Sequence, residues 1–193
     1  MQESLRRSVW IWASLFLLAS HTTRAATVVW TNVAGGFWNA ATNWSPNIVP
    51  GSLDTAVITN AGTYTATNNA TVTVAALMLG LDPGTNPPVV FPRLRQTAGS
   101  LTVTNLSVET NAILTMTSPL TVATSLSGGG AIEQSSSSFR LLGTGVIGTY
   151  SFSGGEQRGG VLTVTNFNWT DGNLYSDATG DRLTVAAGGV LNY

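Results

Sequence analysis

Cysteine and lysine are absent from this 193-residue chain, and histidine occurs once, at His21. Without cysteine no disulfide framework can form, so stability has to come from noncovalent packing. Beyond residue 21 no Ser-His-Asp or Cys-His arrangement can be assembled, and no zinc site rich in His or Cys can be built. Charge is scarce as well: eight arginines and nine acids are 9% of the residues and leave a net charge of −1. That supply of cations cannot line a phosphate backbone, which argues against nucleic acid as a partner.

One long apolar run is present, and it lies at the start. Arg6 and Arg7 precede VWIWASLFLLA (Val9 to Ala19), which is followed by the polar stretch HTTRAA. This is the layout of a secretory signal peptide over residues 1–25, with Thr23 and Ala25 at the small-residue positions and Ala26 as the first mature residue. The run is too short for the roughly 20 residues that span a bilayer, so no membrane span is expected after cleavage. The mature part keeps five arginines against eight acids, a formal charge of −3, and loses the only histidine. Export to the extracellular space or the cell surface of a bacterial envelope follows as the expected location.

What the chain has in abundance is a phrase. LTVTNL at Leu101 to Leu106 returns as LTVTNF at Leu162 to Phe167, and related copies begin at Leu120, Leu141 and Leu183. The spacings along that series are 19, 21, 21 and 21 residues, and self-similarity at so short a period is the mark of a solenoid. An earlier copy, VTVAAL from Val72, sits 29 residues before Leu101. The excess falls on a stretch containing Pro83, Pro87, Pro88 and Pro92, which reads as a loop insertion over residues 81–95. Within each copy apolar and polar residues alternate, as in Leu101 and Val103 against Thr102 and Thr104, the period of a half-buried strand. Gly, Asn and Ser clusters such as Gly128 to Gly130 bound the copies as turns. A period of about 20 residues is too short for a strand-helix-strand crossover. The expected fold is therefore all-β: a right-handed parallel β-helix, or β-solenoid, the hand following the crossover rule. An antiparallel β-sandwich is the alternative. Residues 26–60 would form an N-terminal Trp-rich cap and residues 61–193 the coils. The last copy, LTVAAGGVLNY, stops partway through a coil, so the solenoid is expected to be incomplete at the C-terminus and able to self-associate through that open coil.

Trp30, Trp38 and Trp44 crowd into 15 residues. Together with Gly35-Gly36, Asn43, Pro50-Gly51, Asp54, Ala56 and Ile58, they make a segment that resembles exported bacterial β-helix surface proteins of the autotransporter-associated β-strand repeat type. The resemblance is close over residues 28–60 and extends to the later coils only in style. It implies a β-helix at the cell surface and no particular activity. Two physical readings of the tryptophans compete. They plug the end of the first coil, where large aromatics contribute much buried area, or they form a glycan-stacking platform for surface sugars.

With His, Cys and Lys gone, carboxylates are the remaining acid and base groups. The densest set is Asp171, Asp177 and Asp181 with Asn173. It could ligate Ca²⁺ through oxygens or supply the paired acids of a glycosidase, although its spacing matches neither a Ca²⁺ loop nor the acid repeats of β-rolls. The plainer reading is turn residues that cap backbone amides. Pectin-active β-helix enzymes combine Asp with His, Arg or Lys, a constellation missing from this sequence. No catalytic residue and no cofactor are therefore expected, other than Ca²⁺ at that Asp set. There are 28 threonines, and the pairs Thr71/Thr73, Thr102/Thr104 and Thr163/Thr165 would stack into hydroxyl ladders if the copies stack. Thr is also a good solvent-face strand residue. The expected role is an exported structural or adhesive scaffold without catalysis, whose partners are surface glycans or other envelope proteins. A carbohydrate-binding module or a fragment of a polysaccharide-active enzyme is the alternative.

Overall fold

A computed structural model describes residues 24–80 and 92–193. The signal-peptide reading therefore lies almost wholly outside the described residues, as does most of the proline-rich stretch. The elements are short: β1 (Thr27–Trp30), β2 (Gly36–Phe37), β3 (Trp44–Ser45), β4 (Thr55–Ile58), β5 (Thr65–Asn68), β6 (Val72–Leu79) and β7 (Arg93–Gln96). They continue with β8 (Leu101–Val108), β9 (Ile113–Met116), β10 (Leu120–Ser127), β11 (Ala131–Gln134) and β12 (Ser137–Leu141). Three long strands follow, β13 (Thr144–Arg158), β14 (Val161–Tyr175) and β15 (Arg182–Asn192). The pattern that forms them is visible in β4, β5, β9 and β11, where every second residue is buried and the intervening ones are half-exposed.

These strands stack in parallel into a β-solenoid of about six turns. Its rungs fall on three faces that the chain visits in order. On the first face β1 pairs with β4, β4 with the second half of β6, and so on through the second halves of β8 and β10 to the first segments of β13, β14 and β15. On the second face β2, β5, β7, β9 and β11 lead to the middle of β13 and β14 and the end of β15. On the third face the first halves of β6, β8 and β10 lead to β12 and the ends of β13 and β14. Because nearly every pairing is parallel, the antiparallel sandwich is ruled out. Among the described residues the one antiparallel pair is β1 with β3.

Inward side chains stack into continuous rows. Val28, Ala56, Leu77, Leu106 and Leu126 follow one another on the first face, Leu94, Leu114, Ile132, Tyr150 and Phe167 on the second, and Leu101, Leu120 and Phe139 on the third, all buried. Burying one such aliphatic side chain stabilises the fold by about 1.5–3 kcal/mol, so the rows together are the main cohesive element. Rungs press on each other at the corners. At Gly128, where φ is +117°, a Cβ would lie 2.0 Å from the Val108 carbonyl oxygen, which is why the corner carries glycine.

Three expectations change at this point. The repeated phrase does not mark one place in the coil: Leu101-Thr102-Val103 lies on the third face and Leu162-Thr163-Val164 on the first. Leu120 sits over Leu101 and under Phe139, whereas Leu141 sits over Val122 and Leu162 beside Gly145. An amphipathic strand of four residues can build any face, so the phrase recurs wherever a face is needed, and the apparent steady period mixes faces. Next, the loop expected over residues 81–95 ends before Arg93, because Arg93 to Arg95 belong to β7. That strand was hidden by outward arginines flanking a single inward leucine, Leu94. Finally, the N-terminal Trp-rich cap is present but shares its strands with the coils, since β1 and β4 are rungs of the first face.

Candidate functional site

The tryptophan cluster is a core feature. Trp30, Trp38 and Trp44 are 0%, 0% and 1% exposed, packed edge to face with ring centroids 5.0 Å apart for Trp30 and Trp44 and 4.7 Å for Trp38 and Trp44. Trp44 and Trp30 are also register partners in the antiparallel β1–β3 pair, so the chain doubles back over the outer edge of the first rung. Amides hold this fold-back: Asn43 Nδ2 donates to the Phe37 carbonyl at 2.9 Å, Asn32 Nδ2 to Asn43 Oδ1 at 2.8 Å, and Asn60 Nδ2 to the Trp30 carbonyl at 2.7 Å. The indole N–H groups of Trp30 and Trp44 donate to the carbonyls of Asn32 and Trp38, each at 2.7 Å. A sugar ring needs an open indole face, and none of the three offers one. The glycan-stacking reading of Trp30, Trp38 and Trp44 is thus corrected to that of an end cap.

The aspartate set does not converge either. Asp181 Oδ1 accepts from the Gly160 amide at 2.9 Å, and its Oδ2 accepts from the amides of Asp177 and Ala178 at 2.8 and 2.7 Å. Asp171 Oδ1 accepts from the adjacent Gly172 amide at 2.7 Å. Asp177 is clasped by two guanidinium groups, with Arg140 Nε at 3.1 Å and Arg158 Nη2 at 3.0 Å. Asn173 is placed by β14, in register with Glu156 on the third face. Among the described residues no group of three or more His, Cys, Asp or Glu side chains is placed to hold a metal ion. Of the Ca²⁺ candidates, Asp171 and Asp181 turn their carboxylates to backbone amides and Asp177 to two arginines, while Asn173 is a β14 strand residue. The hydrogen bond from Arg158, helped by the charges of Arg158 and Arg140, holds the Asp177 carboxyl below its ordinary range. A general acid needs a shift in the opposite direction.

The outer surface of the second face carries the most organised polar array. Outward positions on successive rungs are Thr67, Arg95, Thr115, Glu133, Ser151, Asn168 and Asn192. Arg93 Nη1 reaches across to Thr115 Oγ1 at 3.0 Å and Glu133 Oε2 at 2.9 Å, and Thr115 Oγ1 donates to the same carboxylate oxygen at 3.0 Å. Further along, Asn192 Nδ2 donates to Asn168 Oδ1 at 2.7 Å and Asn168 Nδ2 to Ser151 Oγ at 3.2 Å. A shallow cleft of about 330 Å³ lies among Thr115, Glu133, Gln134, Ser135, Ser151 and Ser153. The threonine ladders are shorter than the sequence suggests. Thr73, Thr102 and Thr121 align on the third face and are followed by Arg140, while Thr163 and Thr184 align on the first.

A set of buried amides went unread in the sequence. Asn68, Gln96, Gln134 and Gln157 are all buried at strand ends. Asn68 Nδ2 donates to Gln96 Oε1 at 2.7 Å, Gln96 Nε2 to the Ala98 carbonyl at 2.9 Å, and Gln157 Nε2 to the Gly159 carbonyl at 3.1 Å. Gln134 Nε2 reaches the carbonyls of Ser137 and Glu156, and its Oε1 accepts from the Tyr150 hydroxyl at 2.6 Å. Burial pushes the Tyr150 phenol well above its usual range, which keeps it a donor to that amide. The signal was available: three second-face strands end alike, as TATN, RLRQ and AIEQ, with an amide at an inward position where the alternation asks for an apolar residue.

Among the described residues no helix is long and apolar enough to cross a membrane. In comparisons with known proteins the chain matches no family model, no curated protein and no solved structure. Fold and surface geometry together define a capped, three-faced parallel β-solenoid.

Proposed function

We propose that this chain is an exported scaffold of the cell envelope that acts through shape and a neutral polar surface rather than through catalysis. The observation that carries the reading is the division of labour in each rung. Among the described residues, inward side chains are taken up by stacking, and the carboxylates of the outer faces and loops are engaged by arginines, hydroxyls or backbone amides. Such a surface is suited to adhesion to surface glycans or to other envelope proteins. The resemblance of the segment around Trp30, Trp38, Trp44 and Asp54 to exported bacterial β-helix surface proteins supports the same location. Self-association belongs to this proposal too: among the described residues β15 pairs with β14 alone, and Val190 and Leu191 on β15 are exposed. The test is surface labelling of cells expressing the full chain, combined with an adhesion assay of wild-type and deletion strains. Surface exposure with loss of adhesion on deletion is expected, and retention inside the cell would refute the proposal.

A second reading, a carbohydrate-binding module, is favoured by the cleft beside Glu133 and the Ser151–Asn168–Asn192 row, where hydroxyl and amide groups repeat along the stack. Glycan-array binding that disappears in Glu133→Ala and Asn168→Ala would support it. A silent array would leave the scaffold reading alone.

A further inference from the structure

Among the described residues the first with a ladder hydrogen bond is Ala26. Its carbonyl accepts from the Thr55 amide at 2.8 Å, extending the β1–β4 pairing by one residue, while Arg24 and Ala25 are exposed. The Ala26 nitrogen donates to Asp54 Oδ1 at 2.8 Å. The second oxygen of that carboxylate accepts from the Gly51 amide at 2.8 Å, and the Asp54 amide donates to the Gly51 carbonyl at 3.0 Å. Asp54 is thereby fixed in a tight turn, with one oxygen aimed at the position of a single main-chain nitrogen. Around it lies a cleft of about 350 Å³ lined by Arg24, Ala26, Ile48, Leu53 and Asp54.

We infer that Asp54 is the docking site for the α-ammonium group of the processed chain, and that cleavage at the Ala25–Ala26 bond places this group on the carboxylate that already holds the Ala26 nitrogen. The inference rests on the export reading above and deepens it. Thr23 and Ala25 are the small residues a signal peptidase requires before the cut. Hydrolysis of that peptide bond adds water: the Ala25 carbonyl carbon leaves as a carboxylate, and the Ala26 nitrogen becomes a primary amine that is protonated at neutral pH. A neutral amide donor is replaced by a cation at the same place, and hydrogen bonds between charged partners are shorter and about twice as strong. Arg24, the one other charged side chain lining the cleft, departs with the leader. Removal of the leader would therefore tighten the first rung rather than merely release it, because Asp54 joins β1 to the turn that leads from the Trp44 strand into β4.

The full chain, expressed with its leader in an exporting bacterium, supplies the test. N-terminal sequencing and intact mass of the exported product should show Ala26 first. In the folded product the α-amine, followed by NMR through a pH titration, should titrate about one unit above the ~7.8 of an ordinary chain terminus. It should return to that ordinary value when the same chain is unfolded in urea, and also in folded Asp54→Asn. Should the variant fail to fold, the comparison of folded with urea-unfolded wild type carries the test alone. An ordinary amine value in the folded wild type, or cleavage at another bond, overturns the inference while leaving export intact. A chain that keeps its leader overturns the export reading, and this inference with it.

Discussion

The first rung and the last described rung are covered differently. A stack of parallel strands necessarily ends in unpaired backbone and half-covered apolar rows. At the N-terminal end the chain turns back: β3 pairs antiparallel with the outer edge of β1, and three fully buried tryptophans fill the space beneath. On the last described rung nothing among the described residues turns back over β15, and Leu191, aligned over the inward Phe167, is 50% exposed. The comparison teaches that the first rung is closed by chain reversal plus large side chains, which the repeat itself does not supply. It also says where stability is concentrated.

Mutations sharpen this contrast in a graded way. Trp44→Ala, at the closed end, removes a ring that contacts both neighbouring tryptophans and should destabilise by about 3–5 kcal/mol in urea denaturation. A loss under about 1 kcal/mol would show that the cap is dispensable. In the middle of the stack, Gln134→Leu strips two carbonyls and the Tyr150 hydroxyl of their partner, for an expected loss of about 1–3 kcal/mol in the same assay. On the last described rung, Leu191→Ala should change stability by less than about 0.5 kcal/mol, since its environment is already half solvent. A large loss there would mean that Leu191 is covered in solution, and sedimentation velocity would then reveal the covering copy.

The smallest effect concerns the strap after β14. Asp177, held by Arg140 and Arg158, has its carboxyl lowered, chiefly by the hydrogen bond from Arg158. A carboxylate with a depressed native pKa contributes stability that is present above the ordinary range near 3.8 and lost as pH falls through the native value. The difference in urea midpoint between wild type and Asp177→Asn should be greatest at neutral pH and close on acidification. Salt should reduce it, because the pairs are on the surface.

Much of this fold was legible because its energetics are local and periodic. Alternation in LTVT and TAVI dictates strands, and repetition at about 20 residues dictates stacking. What escaped was whatever depends on which rung lies next. Leu141 continues the leucine series by spacing, yet it stacks over Val122, because the corners differ in length and only the pairing counts them. Arg93 and Arg95 read as loop because outward strand positions tolerate charge, and a single inward Leu94 is too little pattern to see. The buried amides escaped for a related reason: a glutamine at an inward position looks like a break in the pattern until the carbonyls of the next corner are seen to need it. Of the site residues, the tryptophans were legible as aromatic mass but not as buried or open. The aspartates were legible as turn formers, whereas the arginines clasping Asp177, 19 and 37 residues upstream, were not.

Register is the claim from which the faces, the outward rows and both ends follow, and a chain without cysteine allows it to be measured cleanly. Two double variants, Val146→Cys with Thr163→Cys and Leu142→Cys with Thr163→Cys, would be treated with a short fluorogenic thiol-bridging reagent. Val146 and Thr163 are register partners on adjacent rungs of the first face. An alignment that follows the repeated phrase would place Leu142 next to Thr163 instead. The three-faced solenoid predicts efficient bridging in the first variant and little in the second; bridging in the second but not the first would contradict it.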